Sequence, residues 1–182
     1  MKKALIILST LTLIFMATGC KKGNTTAVLK TSMGDIEIEL YQNEAPETVK
    51  NFVELAKAGK YENVPFHRVI NDFMVQTGDF ENKNGTGGHS YKGEGTYLED
   101  EFGKGLEHVY GAVSMANAGP NTGGSQFFIV DAPKGTDWLD GHHSIFGIVK
   151  DMDVVEKISE VDVNAMDNPL EEVLILSVEI ND

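Results

Sequence analysis

Short runs of apolar and β-branched residues, separated by turns, recur along this 182-residue chain and restrict its fold more than any other feature. Residues 35–40 alternate strictly between acidic and apolar types, so their apolar side chains share one face of a strand. Residues 27–31 precede this strand across a Ser-Met-Gly turn and are predicted to be its hairpin partner. Further strands are predicted at residues 66–70, 74–77, 112–115, 127–130, 145–149 and 174–180.

Two segments have helical patterns. Pro46 falls early in the first turn of the first segment, and Glu47 lies near the positive end of the helix dipole. Gly59 is a natural stop, and residues 153–158 form a second short helix. About eight strands and two helices are typical of a barrel, because closure removes the sheet edges. We therefore predict a mainly β fold, a closed eight-stranded antiparallel β-barrel capped by two α-helices.

The chain from residue 27 onward reads as one domain. It contains no charge block, no Pro/Ser-rich linker and no repeat that would mark a second domain. Glycine accounts for 19 residues, which is above the usual share of about 7% and indicates many loops. We assign the folded domain to residues 27–182.

The first residues have the pattern of an export signal. Lys2 and Lys3 form a positive head, and the apolar run of residues 4–16 spans only about 20 Å as a helix, too short to cross a bilayer. Small residues and Cys20 follow, which resembles a bacterial lipoprotein signal, although Ala17 stands where Leu is usual. We predict a signal peptide at 1–19, and a lipidated Cys20 with a short tether at 20–26. The alternative is an ordinary secretory signal with an incidental cysteine.

This signal implies an extracytoplasmic protein, anchored by lipid to a bacterial cell membrane without spanning it. The formal net charge is -13, from 15 basic and 28 acidic residues, which argues against nucleic acid as a partner. The single cysteine excludes an internal disulfide framework and a Cys-based zinc cluster. The five histidines show no H-E-x-x-H pattern, so we predict no metal site.

Two short glycine-rich stretches do not support other chemistries. Residues 85–90 lack the lysine of a P-loop. Residues 124–126 resemble a nucleophile elbow around Ser125, but Phe127 stands where the motif needs glycine. His142 and His143, if adjacent on a strand, are expected to point to opposite faces.

An arginine among aromatic and aliphatic residues is the most informative local feature. Arg68 lies in the stretch FHRVINDFMVQTGDF at 66–80. This setting implies a guanidinium held rigidly beside an apolar surface, which suits an electrostatic clamp on a polar atom of a mostly apolar ligand.

That stretch resembles the signature of the cyclophilins, the cyclosporin-binding family of peptidyl-prolyl isomerases. Two further blocks complete the resemblance, SMANAGPNTGGSQFFI at 114–129 and WLDGHHSIFG at 138–147. The blocks come in the family's order, and the resemblance extends from about residue 27 to the C-terminus. It implies the barrel closed by two helices and a site on the outer face of the barrel.

The resemblance also implies roles for particular residues. Arg68 matches the catalytic arginine, and Gln76 and Asn117 act with it by holding one flank of the substrate. Trp138 matches the tryptophan that assists cyclosporin binding. The proline pocket corresponds to Phe73, Met74, Phe128, Leu139 and His143. The groove for the flanking peptide corresponds to Gln76, Ala116, Asn117 and Gln126.

The implied reaction is rotation about X-Pro peptide bonds, which is called rotamase activity. Without a catalyst, the barrier to this rotation is about 18–20 kcal/mol. No bond breaks, so no nucleophile, metal or cofactor is required. The expected partners are proline-containing peptides, unfolded exported proteins whose folding it assists, and cyclosporin, with the enzyme a monomer. One alternative is a membrane-anchored peptide-binding or chaperone module with weak isomerase activity. Another, a secreted hydrolase, is disfavoured by the failed elbow.

Overall fold

The structure, a computed structural model, describes residues 25–181. The predictions for residues 1–24, including the signal peptide and Cys20, lie outside the described residues. Within residues 25–181, two α-helices and one short 3-10 helix accompany the strands. The elements in chain order are β1 (Thr26–Thr31), β2 (Gly34–Leu40), α1 (Pro46–Lys57), β3 (Val64–Pro65), β4 (Arg68–Ile70), β5 (Met74–Thr77), β6 (Ala112–Met115), β7 (Phe127–Val130), the 3-10 helix (Asp137–Leu139), β8 (Ile145–Val149), α2 (Asp153–Ser159) and β9 (Leu174–Asn181).

All nine strands belong to one sheet, in the order β3-β9-β1-β2-β8-β6-β7-β5-β4. Every strand pair is antiparallel. The predicted mainly β fold with two helices is confirmed. The predicted closed eight-stranded barrel is wrong, because the sheet has nine strands and its hydrogen-bonded order is open, with β3 and β4 at the two ends.

The difference arises at one predicted strand, residues 66–70. Here β3 ends at Pro65 and β4 begins at Arg68, and Phe66 and His67 between them belong to no strand. The Phe66 N–H donates instead to the carbonyl of Val173, the residue immediately before β9, at 2.8 Å. Because only two residues separate the end strands, the sheet curls until its edges lie close together. The result is a curled half-barrel whose ladder is interrupted at this point.

Helix α1 closes one side of the core. It begins with Pro46 at its first position and ends at Lys57, just before Gly59, whose φ of +68° is one that glycine adopts readily. Phe52 on its buried face is fully buried, and its ring centroid lies 5.4–5.5 Å from those of Tyr61, Phe127 and Phe146. The predicted start and stop of this helix are confirmed.

The strand register gives the sheet two apolar faces. Val69, Val75, Ile129 and Val113 pair in succession across β4, β5, β7 and β6, and all are buried in the inner core. Because successive side chains alternate between faces, their neighbours point outward. A second apolar cluster therefore lies on the outer face. Its buried members are Met74, Ala112, Phe128, Val130, Ala132 and Ile145.

Candidate active site

A cavity of about 250 Å³ opens over the outer cluster. Every residue that lines it belongs to the predicted site. The lining residues are Arg68, Phe73, Met74, Gln76, Ala116, Asn117, Phe128, Leu139 and His143. The other two predicted residues, Gln126 and Trp138, line adjacent cavities that share walls with this one.

Strand pairing brings the central residues together. Arg68 on β4 pairs with Gln76 on β5, and Gln76 pairs with Phe128 on β7. Phe128 in turn pairs with Ser114 on β6. Directly paired residues project to the same face of a sheet with side chains about 4.5–5.5 Å apart. The register thus aligns the guanidinium, the amide and the aromatic ring in one row on the outer face.

The floor of the cavity is apolar and fixed. Met74 and Phe128 are buried, and Phe73 and Leu139 pack against the same cluster. His143 stands at the wall, with its ring edge-on to Phe128 at 5.4 Å and its Nδ1 3.0 Å from the Met115 carbonyl oxygen. His142 and His143 lie in a turn that directly follows the 3-10 helix, so the condition that they are adjacent on a strand is not met.

Arg68 stands at the rim of this floor. It is the only arginine of the chain, and its side chain is 44% exposed. A cation beside a buried apolar floor can stabilise a partial negative charge or a lone pair on an apolar ligand.

Glutamine side chains connect the cavity to a neighbouring loop. Gln76 Nε2 donates to Gln126 Oε1 at 3.0 Å. Gln126 Nε2 donates to the carbonyl oxygens of Gly85 and Gly87, at 3.0 and 2.8 Å. An adjacent cavity of about 230 Å³ lies between this loop and the residues after β6, and Gln76, Ala116, Asn117 and Gln126 all line it. The four residues predicted to form the flanking groove therefore line one cavity.

The loop is held from below by Asp79, which sequence reasoning missed. This residue is fully buried. Its carboxylate accepts the backbone N–H groups of Glu81, Asn82, Asn84, Gly85 and Gly87. Burial alone raises the pKa of Asp79, but these hydrogen bonds together outweigh it and lower the pKa. The only sequence signal is an aspartate placed before a glycine-rich turn segment.

Asn117 uses its side chain to shape the other wall. Its Nδ2 donates to the His142 carbonyl oxygen at 2.8 Å, and its Oδ1 accepts from the Gly119 N–H at 3.3 Å. The backbone N–H and C=O of Asn117 make no hydrogen bond to another backbone group within residues 25–181. They are therefore available to an extended peptide.

Trp138 extends the apolar surface outward. It is 61% exposed, and its ring stacks on Phe73 with centroids 6.1 Å apart and planes inclined by 28°. It lines a cavity of about 560 Å³ together with Leu139, His143 and the exposed Phe102.

A hydrogen-bonded chain of polar residues, buried at His108 and Ser114, supports the wall from behind, and sequence reasoning missed it too. His108 Nδ1 lies 2.6 Å from Asp140 Oδ1, and His108 Nε2 lies 2.9 Å from Ser114 Oγ. Burial lowers the pKa of His108 despite the opposing effect of Asp140. The neutral ring therefore donates through Nδ1 to the carboxylate and accepts the Ser114 hydroxyl at Nε2. It stacks on Phe128 at 6.0 Å, with planes inclined by 12°.

The hydrogen-bonded residues His108, Asp140 and Ser114 are of the types found in a hydrolase triad, but the serine is not accessible to a substrate. Ser114 is completely buried, so its oxygen cannot reach a substrate carbonyl. Ser125, the elbow candidate, is also fully buried and donates to the Gly78 carbonyl at 2.6 Å. Neither serine is placed for nucleophilic attack. Within the described residues, no three His, Cys, Asp or Glu side chains come together to hold a metal.

The fold and the site together define a class of protein. In this class, a curled antiparallel sheet with two helices carries an apolar cavity, lined by one cationic side chain, on its outer face. A family profile described as "Cyclophilin type peptidyl-prolyl cis-trans isomerase/CLD" matches residues 26–180. The chain belongs to this family, and it is a peptidyl-prolyl cis-trans isomerase.

Curated relatives are similar over most of their length. "Peptidyl-prolyl cis-trans isomerase-like 1" of Aspergillus fumigatus is 51% identical over 158 residues, which cover 86% of this chain and 95% of the relative. The protein of the same name from Rhizopus delemar is 56% identical over 142 residues, or 77% and 83% of the two chains. "Peptidyl-prolyl cis-trans isomerase cypE" of Dictyostelium discoideum is 49% identical over 158 residues, or 86% and 97%.

Two solved structures are similar to this chain in fold. A cyclophilin type peptidyl-prolyl cis-trans isomerase of Cryptosporidium parvum has a TM-score of 0.81 and 32% identity, and the match covers 87% of this chain and 98% of that one. A second structure of the same description, determined in the presence of the dipeptide Ala-Pro, has a TM-score of 0.80 and 33% identity, with coverages of 86% and 99%.

The neutral, buried His108 predicts a pH dependence of stability. A free histidine binds a proton near pH 6.5, whereas the folded protein resists protonation of His108 because its pKa is lowered. The unfolded state therefore binds more protons as the pH falls below 7, and the stabilising contribution of His108 is lost on acidification. We expect the difference in unfolding free energy between the wild type and His108→Gln to shrink from pH 7 to pH 5.

Urea denaturation at several pH values measures this difference. A single proton limits the slope to about 1.4 kcal/mol per pH unit. His142→Gln, at an exposed histidine, is the matched control and should leave the pH dependence as in the wild type. A difference between wild type and His108→Gln that stays constant over this range would contradict the assignment.

Proposed function

We propose that Arg68 is the catalytic residue of this isomerase and that the cavity beside it holds the prolyl ring of the substrate. The observation that carries this proposal is the position of the chain's only guanidinium at the rim of a buried apolar floor. The Cryptosporidium parvum structure determined with Ala-Pro supports a proline-containing peptide as the ligand.

The chemistry requires a fixed donor and little else. Rotation about the X-Pro bond twists the amide out of its plane against a barrier of about 18–20 kcal/mol. In the twisted state the prolyl nitrogen is pyramidal and becomes a better hydrogen-bond acceptor. The Arg68 guanidinium donates to that nitrogen or stabilises the carbonyl side. Donors fixed before the reaction commonly contribute a few kcal/mol to such a step.

The two ends of the peptide are treated differently. Phe73, Met74 and Phe128 immobilise the ring by contact, as ring and floor are both apolar. Gln76 and the backbone of Asn117 hold one flank, while the other flank turns. Holding one end and releasing the other converts binding energy into a lower rotational barrier. Ala116 and Gln126 line the groove on the held side. All these residues come from one chain, so we propose that the enzyme acts as a monomer.

Arg68→Ala tests the catalytic role. We expect the fold to remain and kcat/KM to fall about 100-fold, the usual cost of losing a fixed donor. Arg68→Lys is the matched control: it keeps the charge but not the planar donor fork, and we expect it to restore little activity. The measurement is a refolding assay limited by proline isomerisation. Near-wild-type turnover in Arg68→Ala, with an unchanged urea midpoint, would refute the role.

We also propose that the site binds cyclosporin and that Trp138 assists through its indole N–H. The exposure of Trp138 and its stacking on Phe73 support this, because the ring is held in place while its edge stays accessible. The large adjacent cavity gives room for a ligand bulkier than a dipeptide.

Trp138→Phe keeps an aromatic ring and removes the donor. One hydrogen bond is worth about 0.5–1.5 kcal/mol, so we expect cyclosporin affinity to fall about 2- to 10-fold with a smaller change in kcat/KM. Calorimetric titration with cyclosporin and the peptide assay give the two numbers. Equal losses in both measurements would count against the indole contact.

We further propose that the enzyme assists folding of exported proteins, outside the cytoplasm, while a lipid on Cys20 anchors it to a bacterial membrane. The support for the anchor is the sequence of residues 1–20 alone. The family match begins at residue 26 and the relatives named above are eukaryotic, so these comparisons add no support for the anchor. None of the helices within residues 25–181 is long and apolar enough to cross a bilayer.

Cys20→Ser tests the anchor in the full-length protein expressed in a bacterium. We expect the wild type to enter the detergent phase of a Triton X-114 extract and Cys20→Ser to enter the aqueous phase, with equal isomerase activity. The same distribution for both proteins would contradict lipidation at Cys20 and favour an ordinary secretory signal.

A further inference from the structure

The loop between α2 and β9 is folded back on itself. Val163 and Pro169 form an isolated antiparallel bridge across it. The Asn164 N–H donates to the Asn168 carbonyl at 2.9 Å, and the Asp167 N–H donates to the Asn164 carbonyl at 3.0 Å. These contacts give residues 163–169 a defined shape of their own.

This loop is attached to the chain on both sides of Arg68, the first residue of β4. The Val69 N–H donates to the Asp167 carbonyl oxygen at 2.8 Å. On the other side, Asn168 Nδ2 donates to the His67 carbonyl oxygen. Since these two contacts bracket Arg68, they set the position of the loop relative to the arginine.

Asp167 brings a carboxylate to the arginine. Its Oδ2 lies 4.0 Å from Arg68 Nε, and both side chains are 44% exposed. The backbone of Asp167 has φ +62°, a left-handed conformation that Asp and Asn adopt more readily than other non-glycine residues. The residue type therefore agrees with the backbone that the site requires.

We propose that Asp167 is a positioning residue for catalysis: its carboxylate holds the Nε edge of the Arg68 guanidinium and leaves the terminal amino groups for the substrate. This inference rests on the catalytic role proposed above for Arg68. The carboxylate does not touch the substrate and acts only through the arginine.

Orientation, rather than stability, is the expected consequence of this pair. Exposed ion pairs contribute little to folding. A free arginine side chain, however, samples many rotamers, and ordering it during the reaction costs entropy that a fixed partner removes beforehand. The benefit therefore belongs to the transition state and should be visible in kcat rather than in KM.

Asp167→Asn is the informative substitution. Asparagine tolerates the same left-handed φ, so the loop keeps its backbone contacts while the charge is lost. Asp162→Asn is the matched control, because Asp162 is an exposed carboxylate of the same loop and forms no ion pair with Arg68. We expect kcat to fall about three- to fivefold in Asp167→Asn, the upper end of the range for an exposed ion pair, with KM unchanged. Equal kcat values in the two variants would overturn the proposal.

A double-mutant cycle separates positioning through Arg68 from any other effect. In an Arg68→Ala background, Asp167→Asn should have no further effect on kcat, because no cationic side chain remains to be held. The same loss in both backgrounds would overturn the proposal while leaving the role of Arg68 intact. High activity of Arg68→Ala itself would count against the proposed function instead, so the two failures are distinguishable.

The single arginine also permits a direct measurement that does not depend on activity and whose decisive result comes from the wild type. A protein labelled with 15N-arginine gives one Nε–H resonance. We expect this resonance to shift in the wild type when 1 M NaCl screens the ion pair, and to shift similarly in Asp167→Asn at low salt. A resonance that salt leaves unmoved in the wild type would refute the contact in solution.

Discussion

The alternation of side chains across four paired strands is the constraint on which the rest of this structure depends. In β4, β5, β7 and β6, one set of residues fills the core and the next set forms the outer face. Val75 and Gln76 are neighbours in sequence, yet one is sealed in the interior and the other lines the cavity. A shift of one residue in any of these pairings would exchange the two faces. The register that packs the protein is thus also the register that assembles the site.

Buried polar groups then fix the loops that surround the site. Asp79 gathers five backbone N–H groups, and Gln126 joins the loop so formed to Gln76. On the opposite side, His108 connects Asp140 to Ser114 behind the pocket wall. Unmade hydrogen bonds are costly in the interior, so each group holds its partners in one arrangement. A reaction that breaks no bond needs little more than such a rigid surface, one apolar pocket and one donor.

The local sequence pattern was sufficient to predict those strands whose bounds depend only on neighbouring residues. The strands at residues 74–77, 112–115, 127–130 and 145–149 coincide with their predicted bounds, because each is a short β-like run bounded by turn residues. The predicted strand at 66–70 is broken since Phe66 bonds to Val173, a partner that no local pattern reveals. The site residues came from a resemblance to a family, and the structure gathers most of them around one cavity. The contact between His108 and Asp140 was missed because 32 residues separate them in sequence. Asp140 lies in the block at residues 138–147, but no local pattern pairs it with His108.

Exchange NMR on an Ala-Pro peptide tests the central claim most directly, because it observes both isomers at equilibrium. With a small amount of the enzyme, the account predicts strong exchange cross-peaks between the cis and trans signals, unchanged isomer populations and no cleavage product. Line broadening from binding without faster exchange would contradict it and would indicate a peptide-binding module. The uncatalysed reaction takes tens of seconds or longer, so the two outcomes are well separated.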